Sequence, residues 1–576
     1  MKRIKWLPVF LLALTVELSG CMDRTIPLAY DNQIKADGTF DTNLFYRNDL
    51  TTEIADPFVL YISDETSTEY GYYYLYGTTS SLGYEAFRSR DLQNWENISN
   101  LKGFLVYSPP EDALAQVYLW APEVIFDAQT RQYYMFYSGA PKDSQSLNDT
   151  SPCVAVSDQP YGPFLPCTEN GLSARKPLLD PEKANAAVAE EARGDWHGID
   201  CSPFIGADGE KYLLFTRTLD PSDANHNAIW GMRMKSWSEP DYASLTKLTS
   251  VGYRTTERTE KMDYEHSTNH NEGPTMLIRT DAQGTPHYYL TFSINGYMDK
   301  SYSVIQAVGD SPLGPFRKLD EADGGIIIST DHQTWDHLSG TGHHCFLKIG
   351  EEYFAVYHEH INRQTGNSSR YVAFDRMAFT ENGKGETVIY VNGPTWSLQP
   401  QIEALSEYRN IANEAAVTVS SGKNPEALTD GLLSLYKNIG YVPEFEIEKT
   451  ATITLDFGQY REIAGLMIYN SKYFEKAFPW IERVEFDFKN DQLPKGATAS
   501  IEKLPFDWDS YKNANADDMR PGGSAVAVFA PLLVKTVRIT LRLPVERPET
   551  IELTDDGGYI VDQTAAAISE IVVLGK

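Results

Sequence analysis

A head, a strand, a turn and a second strand occur five times in succession between residues 55 and 357. The second strands are aromatic-rich runs at residues 72–76, 132–137, 211–215, 287–292 and 352–357, about 60 to 80 residues apart. Roughly ten to fifteen residues before each run lies a shorter apolar strand with a polar or aromatic head. The heads are Ala55-Asp56-Pro57, Trp120-Ala121-Pro122-Glu123, Asp200-Cys201-Ser202-Pro203, Glu272-Gly273-Pro274 and Gly342-His343-His344. Evenly spaced strands with one aromatic motif per unit are the mark of a propeller, in which four-stranded blades surround a central channel. The first strand of each blade lines the axis, so the five heads are expected to meet at one end of the channel.

The repeat ends in a strand at Arg370-Tyr371-Val372-Ala373-Phe374 and a turn at Asn392-Gly393-Pro394-Thr395. From about Tyr408 the strands change character, as in Ala451-Thr452-Ile453-Thr454-Leu455-Asp456-Phe457, with Gly and Asn/Asp turns between them. The chain is therefore expected to be all-β: a five-bladed β-propeller over residues 41–400, followed by a jelly-roll-like β-sandwich over 408–576. The 35 tyrosines, many in these runs, agree with that class.

Three heads supply carboxylates, Asp56, Asp200 and Glu272, and only the repeat can gather residues so far apart in sequence. Cleavage of a glycosidic bond with inversion needs one carboxylic acid to protonate the leaving oxygen. It also needs one carboxylate to deprotonate water on the opposite face of the sugar. The acid keeps its proton near neutral pH only if burial or a neighbouring negative charge raises its pKa, and a third carboxylate provides such a charge. Trp120 and Trp196, at or beside heads, are candidate platforms for the apolar faces of sugar rings, with core packing as the alternative. Glu123 reads as structural. His358 and His360 point the same way along one strand, but no third ligand accompanies them to make a metal site.

The order and blade positions of these heads resemble glycoside hydrolase family 43 over about residues 40–400. So do Ser89-Arg90-Asp91-Leu92-Gln93-Asn94-Trp95, Gly314-Pro315-Phe316 and Gly340-Thr341-Gly342-His343. The resemblance implies that Asp56 is the general base, Glu272 the general acid, and Asp200 the residue that orients the acid and adjusts its pKa. Pro often follows the blade-three Asp directly in that family, whereas Cys201-Ser202 intervene here. His343 matches a central histidine that binds sugar hydroxyls or, alternatively, helps hold a structural calcium at the axis; no cofactor is required for the reaction. The implied substrate is a pentose or furanose residue at the non-reducing end of a glycan. α-L-Arabinofuranosidase is favoured over β-xylosidase and β-galactofuranosidase. The rivals are a non-catalytic glycan-binding lipoprotein and a retaining fructan-cleaving propeller, the latter disfavoured by the lack of an Arg-Asp-Pro head on blade three. Residues 413–431 and Ile568-Ser569-Glu570-Ile571 resemble discoidin-like, galactose-binding-like sandwiches. In such modules loop aromatics, here Tyr436, Tyr441, Tyr473 and Phe474, bind glycans or the domain serves in packing.

Lys2, Arg3 and Lys5 precede an apolar stretch too short to span a bilayer, ending in Leu18-Ser19-Gly20-Cys21. This looks like a bacterial lipobox. It leads to the expectation of a signal peptide over 1–20, lipidation at Cys21, a linker over 21–40, and an exported protein attached to a membrane by its lipid. A formal net charge of -30 disfavours nucleic acid and anionic lipid surfaces as partners. Of the other cysteines, Cys153 with Cys167 is the one locally plausible disulfide, with free thiols as the alternative; there is no CxxC pair for zinc.

Overall fold

The computed structural model describes residues 24–25, 40–48, 52–219, 227–251, 262, 264–265, 270–330, 338–361, 366, 369–395, 397–434, 441–473, 476–489, 499–504, 522–543, 550–553, 557–560 and 565–576. Cys21 with the leader before it, Tyr436 and Phe474 lie outside these residues.

The five sequence units are five antiparallel sheets. Their inner strands are Ala55–Tyr61, Val117–Asp127, Gly198–Ile205, Asn271–Thr280 and Ser339–Ile349. The aromatic runs form the second strands, Tyr73–Thr78, Gln132–Ala140, Lys211–Arg217, Pro286–Ile294 and Glu352–His360. These second strands are apolar on both faces because a neighbouring blade covers each face. Tyr74 and Tyr76 of blade one pack with Tyr133 and Tyr137 of blade two, and Tyr134 and Phe136 pack with Leu213 and Phe215 of blade three. Tyr212 and Leu214 meet Leu290 and Phe292 of blade four, and Tyr289 meets Ala355 and Tyr357 of blade five. Phe354 and Val356 then return to Tyr73 and Leu75 of blade one, closing the ring. Period-two alternation, which usually separates core from solvent, here divides one strand between two apolar interfaces.

Ring closure is reinforced by segments outside the repeat. Phe45–Tyr46 pair with Gln399–Pro400, Glu53 bridges to Tyr371, and the Ile54 N–H donates to the Arg370 carbonyl.

After the propeller, two long strands, Thr450–Asn470 and Ser524–Arg542, run antiparallel with register shifts between Asp456 and Arg461 and between Ile463 and Gly465. The first half of Thr450–Asn470 carries Ala416–Val419 at its edge, and the second half carries Ala566–Gly575. The sheet thereby folds over one core containing Ile453, Leu466, Val484, Ile539 and Ile571, as a sandwich does. Within the stretch expected as a linker, Arg24–Thr25 pair in parallel with Ala499–Ser500 of this sheet.

Cys153, Cys167, Cys201 and Cys345 are buried free thiols. Cys153 packs into the core between blades one and two and Cys167 into the core between blades two and three. The two thiols therefore face opposite sides of one blade, and of the two alternatives the structure holds the free thiols.

Candidate active site

Each inner strand begins with a local break in pairing, and at each break one residue adopts a left-handed backbone. These residues are Asp56 (φ 53°), Ala121 (φ 46°), Asp200 (φ 57°), Gly273 (φ 56°) and His343 (φ 46°). The register shifts fall at the same place in all five blades: Ala55/Phe58, Trp120/Glu123, Ile199/Ser202, Glu272/Thr275 and Gly342/Cys345. Bulges of this kind re-aim side chains beside active sites, and a left-handed non-glycine residue costs about 1–3 kcal/mol that the surrounding fold must cover. The second strand contributes a polar partner at each break. Thr78, Ser138, Thr216, Ser293 and His358 stand opposite Ala55, Trp120, Ile199, Glu272 and Gly342.

These breaks bring the predicted carboxylates together. Asp200 Oδ2 accepts the Gly273 N–H at 2.8 Å, which joins blade three to the residue after Glu272. A Cβ on Gly273 would lie 3.2 Å from the His343 ring, and His343 Nδ1 lies 3.4 Å from Asp56 Oδ1. Asp56, Asp200, Glu272 and His343 therefore form one cluster, in which Asp200 and Glu272 are buried and Asp56 is part-buried.

The environments of the carboxylates differ. Burial raises the pKa of the Asp56 carboxyl, but the Arg370 guanidinium at 3.1 Å, the His343 and His358 rings and the Thr78 hydroxyl at 2.6 Å together outweigh it. Asp56 is held below the ordinary carboxylate range and stays ionised. Burial lowers the pKa of the neighbouring His343 and His358, which leaves Arg370 as the permanent cation beside Asp56. Asp200 is the reverse case. Burial first, then the charges of Glu272 and Asp56, push its pKa well above the ordinary range, against the Gly273 N–H, which favours the ionised form. Glu123, one residue past the blade-two bulge, is a fourth buried carboxyl and is pushed up to about 8 by burial.

Arg370, His358, Thr78 and Tyr302 were not singled out as site residues in the sequence. Asp56 N–H donates to His358 Nδ1 at 3.2 Å, and the His358 ring stacks on Tyr302 at 5.7 Å. Thr78 Oγ1 donates to Asp56 and accepts the Ala121 N–H at 2.9 Å, tying blade two to Asp56. Burial keeps Tyr302 a neutral phenol, under the influence of Glu272, Asp200 and Asp56. The signal for two of these residues, Thr78 and His358, is the polar residue at or near the end of an aromatic run.

Trp120 is half-buried at the blade-two break, its ring 5.5 Å from Tyr118. Trp196 is 3% exposed; Arg217 lies 3.7 Å over its ring and Trp230 packs edge-on. Its remaining surface lines a cavity between blades two and three. His360 Nδ1 donates to the Ser369 carbonyl rather than meeting Asp56. Among the described residues no group of three or more His, Cys, Asp or Glu side chains is arranged to hold a metal ion. In the sandwich, Tyr441 packs edge-on against Tyr390 of the propeller, while Tyr473 is 36% exposed.

The family model described as "Glycosyl hydrolases family 43" matches residues 50–384. A β-D-galactofuranosidase of Aspergillus niger is 33% identical over 117 residues, covering 20% of this chain and 30% of that protein. A crystal structure of a thermostable family-43 glycoside hydrolase is 27% identical, covers 62% of this chain and 98% of its own, and has a TM-score of 0.47. The structure of an endo-1,4-β-xylanase from Bacteroides thetaiotaomicron is 24% identical with a TM-score of 0.42, covering 62% of this chain and 98% of its own.

Proposed function

The chain belongs to glycosyl hydrolase family 43, and from that premise we propose that it is an inverting glycosidase that removes α-L-arabinofuranosyl residues from oligo- or polysaccharides. The observation that carries this reading is the unequal proton affinity within one cluster, with Asp56 held ionised beside Arg370 and Asp200 driven toward its protonated form beside Glu272. An ionised buried carboxylate suits the group that takes a proton from water. A carboxyl whose pKa is raised by burial and by the charges beside it suits Asp200 as the neutral partner that orients the neighbouring acid.

In this scheme Asp56 accepts the proton of a water that attacks the anomeric carbon. The glycosidic C–O bond breaks as Glu272 protonates the departing oxygen. Asp200 holds the Gly273 N–H and keeps Glu272 aimed. His343 and Trp120 would face the sugar. No metal takes part in these steps.

A β-D-galactofuranoside substrate is the second reading, favoured by the Aspergillus niger relative. Both readings are tested by a screen of 4-nitrophenyl α-L-arabinofuranoside, β-D-galactofuranoside and β-D-xyloside. The first reading requires the highest kcat/KM on the arabinofuranoside. Hydrolysis of none of the three would remove the enzymatic assignment and favour a glycan-binding protein.

The reading extends to the rest of the chain. Leu18-Ser19-Gly20-Cys21 after a basic and apolar leader supports export and lipidation at Cys21. A bent two-layer sheet with the 413–431 and 568–571 motifs supports a discoidin-like accessory module. Mass spectrometry of the membrane-bound N-terminal peptide tests the first, and glycan binding by a Tyr473→Ala variant tests the second.

A further inference from the structure

Two rings on one loop of blade four back the groups that hold Asp56. After the second strand of that blade, Pro286–Ile294, Asn295 (φ 73°) and Gly296 (φ 80°) both take the left-handed backbone and turn the chain. Asn295 Nδ2 donates to the Ser301 carbonyl at 3.0 Å and to the Tyr264 carbonyl at 3.1 Å. The Asp299 N–H donates to the Gly296 carbonyl, and Asp299 Oδ1 accepts from the Ser301 N–H and hydroxyl. A loop tied down in this way presents its side chains in fixed positions. Near its start the Tyr297 ring faces the Arg370 guanidinium, 5.0 Å from the guanidinium carbon. At its end Tyr302 stacks on His358 at 5.7 Å. Arg370 Nη1 donates to Asp56 Oδ1 and His358 Nδ1 accepts the Asp56 N–H. Each ring therefore supports one of the two blade-five side chains that grip Asp56.

His360, fully buried at the end of the second strand of blade five, connects the two segments. Its Nδ1 donates at 3.2 Å to the carbonyl of Ser369, the residue before Arg370. Burial above all, together with the Arg370 charge, lowers the pKa of this ring, whereas hydrogen bonding to the Ser369 and Tyr297 carbonyls raises it. One imidazole thus touches the backbone that leads into Arg370 and the backbone of the residue whose ring lies on Arg370. A Cβ on Gly340 would lie 2.9 Å from His360, so glycine at that strand start makes room for the ring. A long arginine side chain has many rotamers to lose, and an aromatic face on one side favours the planar guanidinium in one orientation. Arg370, His343 and His358 all lower the pKa of Asp56, and its charge is felt in turn by Asp200, Tyr84 and Tyr302. Arg370 is the permanent cation among these groups, so its position governs the balance.

We infer that Tyr297 and His360 are positioning residues for the Arg370–Asp56 pair: the ring of one and the backbone bonds of the other hold the guanidinium against the carboxylate, so that a loop of blade four controls a side chain on blade one. The inference rests on the glycosidase reading and deepens it. It places outside the carboxylate cluster two residues that keep the water-activating group charged.

The test measures kcat/KM against pH for Tyr297→Leu, Tyr297→Phe, His360→Ala and His360→Asn on the best aryl glycoside of the screen. Loss of the ring or of the imidazole frees the guanidinium, so the pKa of Asp56 rises and the acid limb moves up by about half a pH unit or more. Tyr297→Phe keeps the aromatic face and His360→Asn keeps a donor for the Ser369 carbonyl, and both should restore the profile. Adding Tyr297→Leu to Arg370→Met should move the limb no further, because two changes that act through one partner are not additive. Crystal structures supply a second readout. Arg370 Nη1 stands 3.1 Å from Asp56 Oδ1 in the parent and should lie beyond the ion-pair limit of about 4 Å in Tyr297→Leu and His360→Ala. Tyr297 is half-buried on a loop, so its variants decide the matter even where a histidine variant fails to fold. A lowered kcat on an unmoved acid limb, with Arg370 still against Asp56 in Tyr297→Leu, would overturn the inference. If the wild type cleaves no glycoside, the glycosidase reading fails while the crystallographic arm still decides the positioning.

Discussion

Asp200 Oδ2 accepts the backbone N–H of Gly273 at 2.8 Å, so the carboxylate on blade three grips the peptide that follows the carboxylate on blade four. The bond aims Glu272 without occupying its oxygens. It also places two acidic groups side by side in a buried space, where the second charge is costly. Orientation and proton retention then arise from one contact.

Removal of either reacting carboxyl should cost activity in a way that reveals its role. Asp56→Ala and Glu272→Ala are each expected to lower kcat by about 10²–10⁴-fold on unactivated glycosides. Azide should restore turnover to the Asp56 variant, giving a glycosyl azide of inverted configuration. The Glu272 variant should lose least on dinitrophenyl glycosides, whose leaving group needs little protonation. Azide rescue with retained configuration, or an equal loss on all leaving groups, would contradict the assignment.

Arg370→Met should move the acid limb of the kcat/KM profile to higher pH. The guanidinium offsets the burial of Asp56, so its loss raises the pKa of the base and more of it is protonated at a given pH. Arg370→Lys should restore part of the shift. A lowered kcat with an unmoved acid limb would give Arg370 a structural role alone.

Glu123→Gln should stabilise the protein at neutral pH. Burial raises the folded pKa of Glu123 to about 8, whereas an unfolded Glu titrates near 4.3. The unfolded chain therefore binds fewer protons between these values, and stability falls as pH rises through that window. At pH 7 the penalty is on the order of 3 kcal/mol, and the amide removes it. Denaturant titrations should show the difference growing from pH 4 to pH 8, and a constant difference would contradict the account.

Gly273→Ala should lower kcat/KM on every substrate. The position has φ 56°, and the added Cβ would lie 3.2 Å from the His343 ring. A strain of about 1–2 kcal/mol passed to Glu272 corresponds to roughly five- to thirtyfold in rate. Unchanged kinetics would show that the Asp200–Gly273 contact does not aim the acid.

The propeller and its cluster were legible because the aromatic runs repeat and each repeat opens with a short head. Asp56, Asp200 and Glu272 each belong to a head, and the structure gathers all three. Arg370 is not legible in the same way. It lies just before the third strand of blade five, Tyr371–Glu381, and ring closure through Ile54 and Glu53 sets it against blade one. Thr78 and His358 stand opposite the heads in the second strands, where a polar residue ending an aromatic run looks like an ordinary strand end. Trp196 shows the converse: proximity to a head in sequence did not reveal that Arg217 and Trp230 cover its ring.

The central claim is that a base on blade one and an acid on blade four act on opposite faces of one sugar. Proton NMR during the first minutes of hydrolysis, before mutarotation, tests it most directly with 4-nitrophenyl α-L-arabinofuranoside or the best substrate of the screen. The account predicts that the first sugar released has the anomeric configuration opposite to that of the substrate. Release of the same configuration would mean a covalent intermediate and would contradict it.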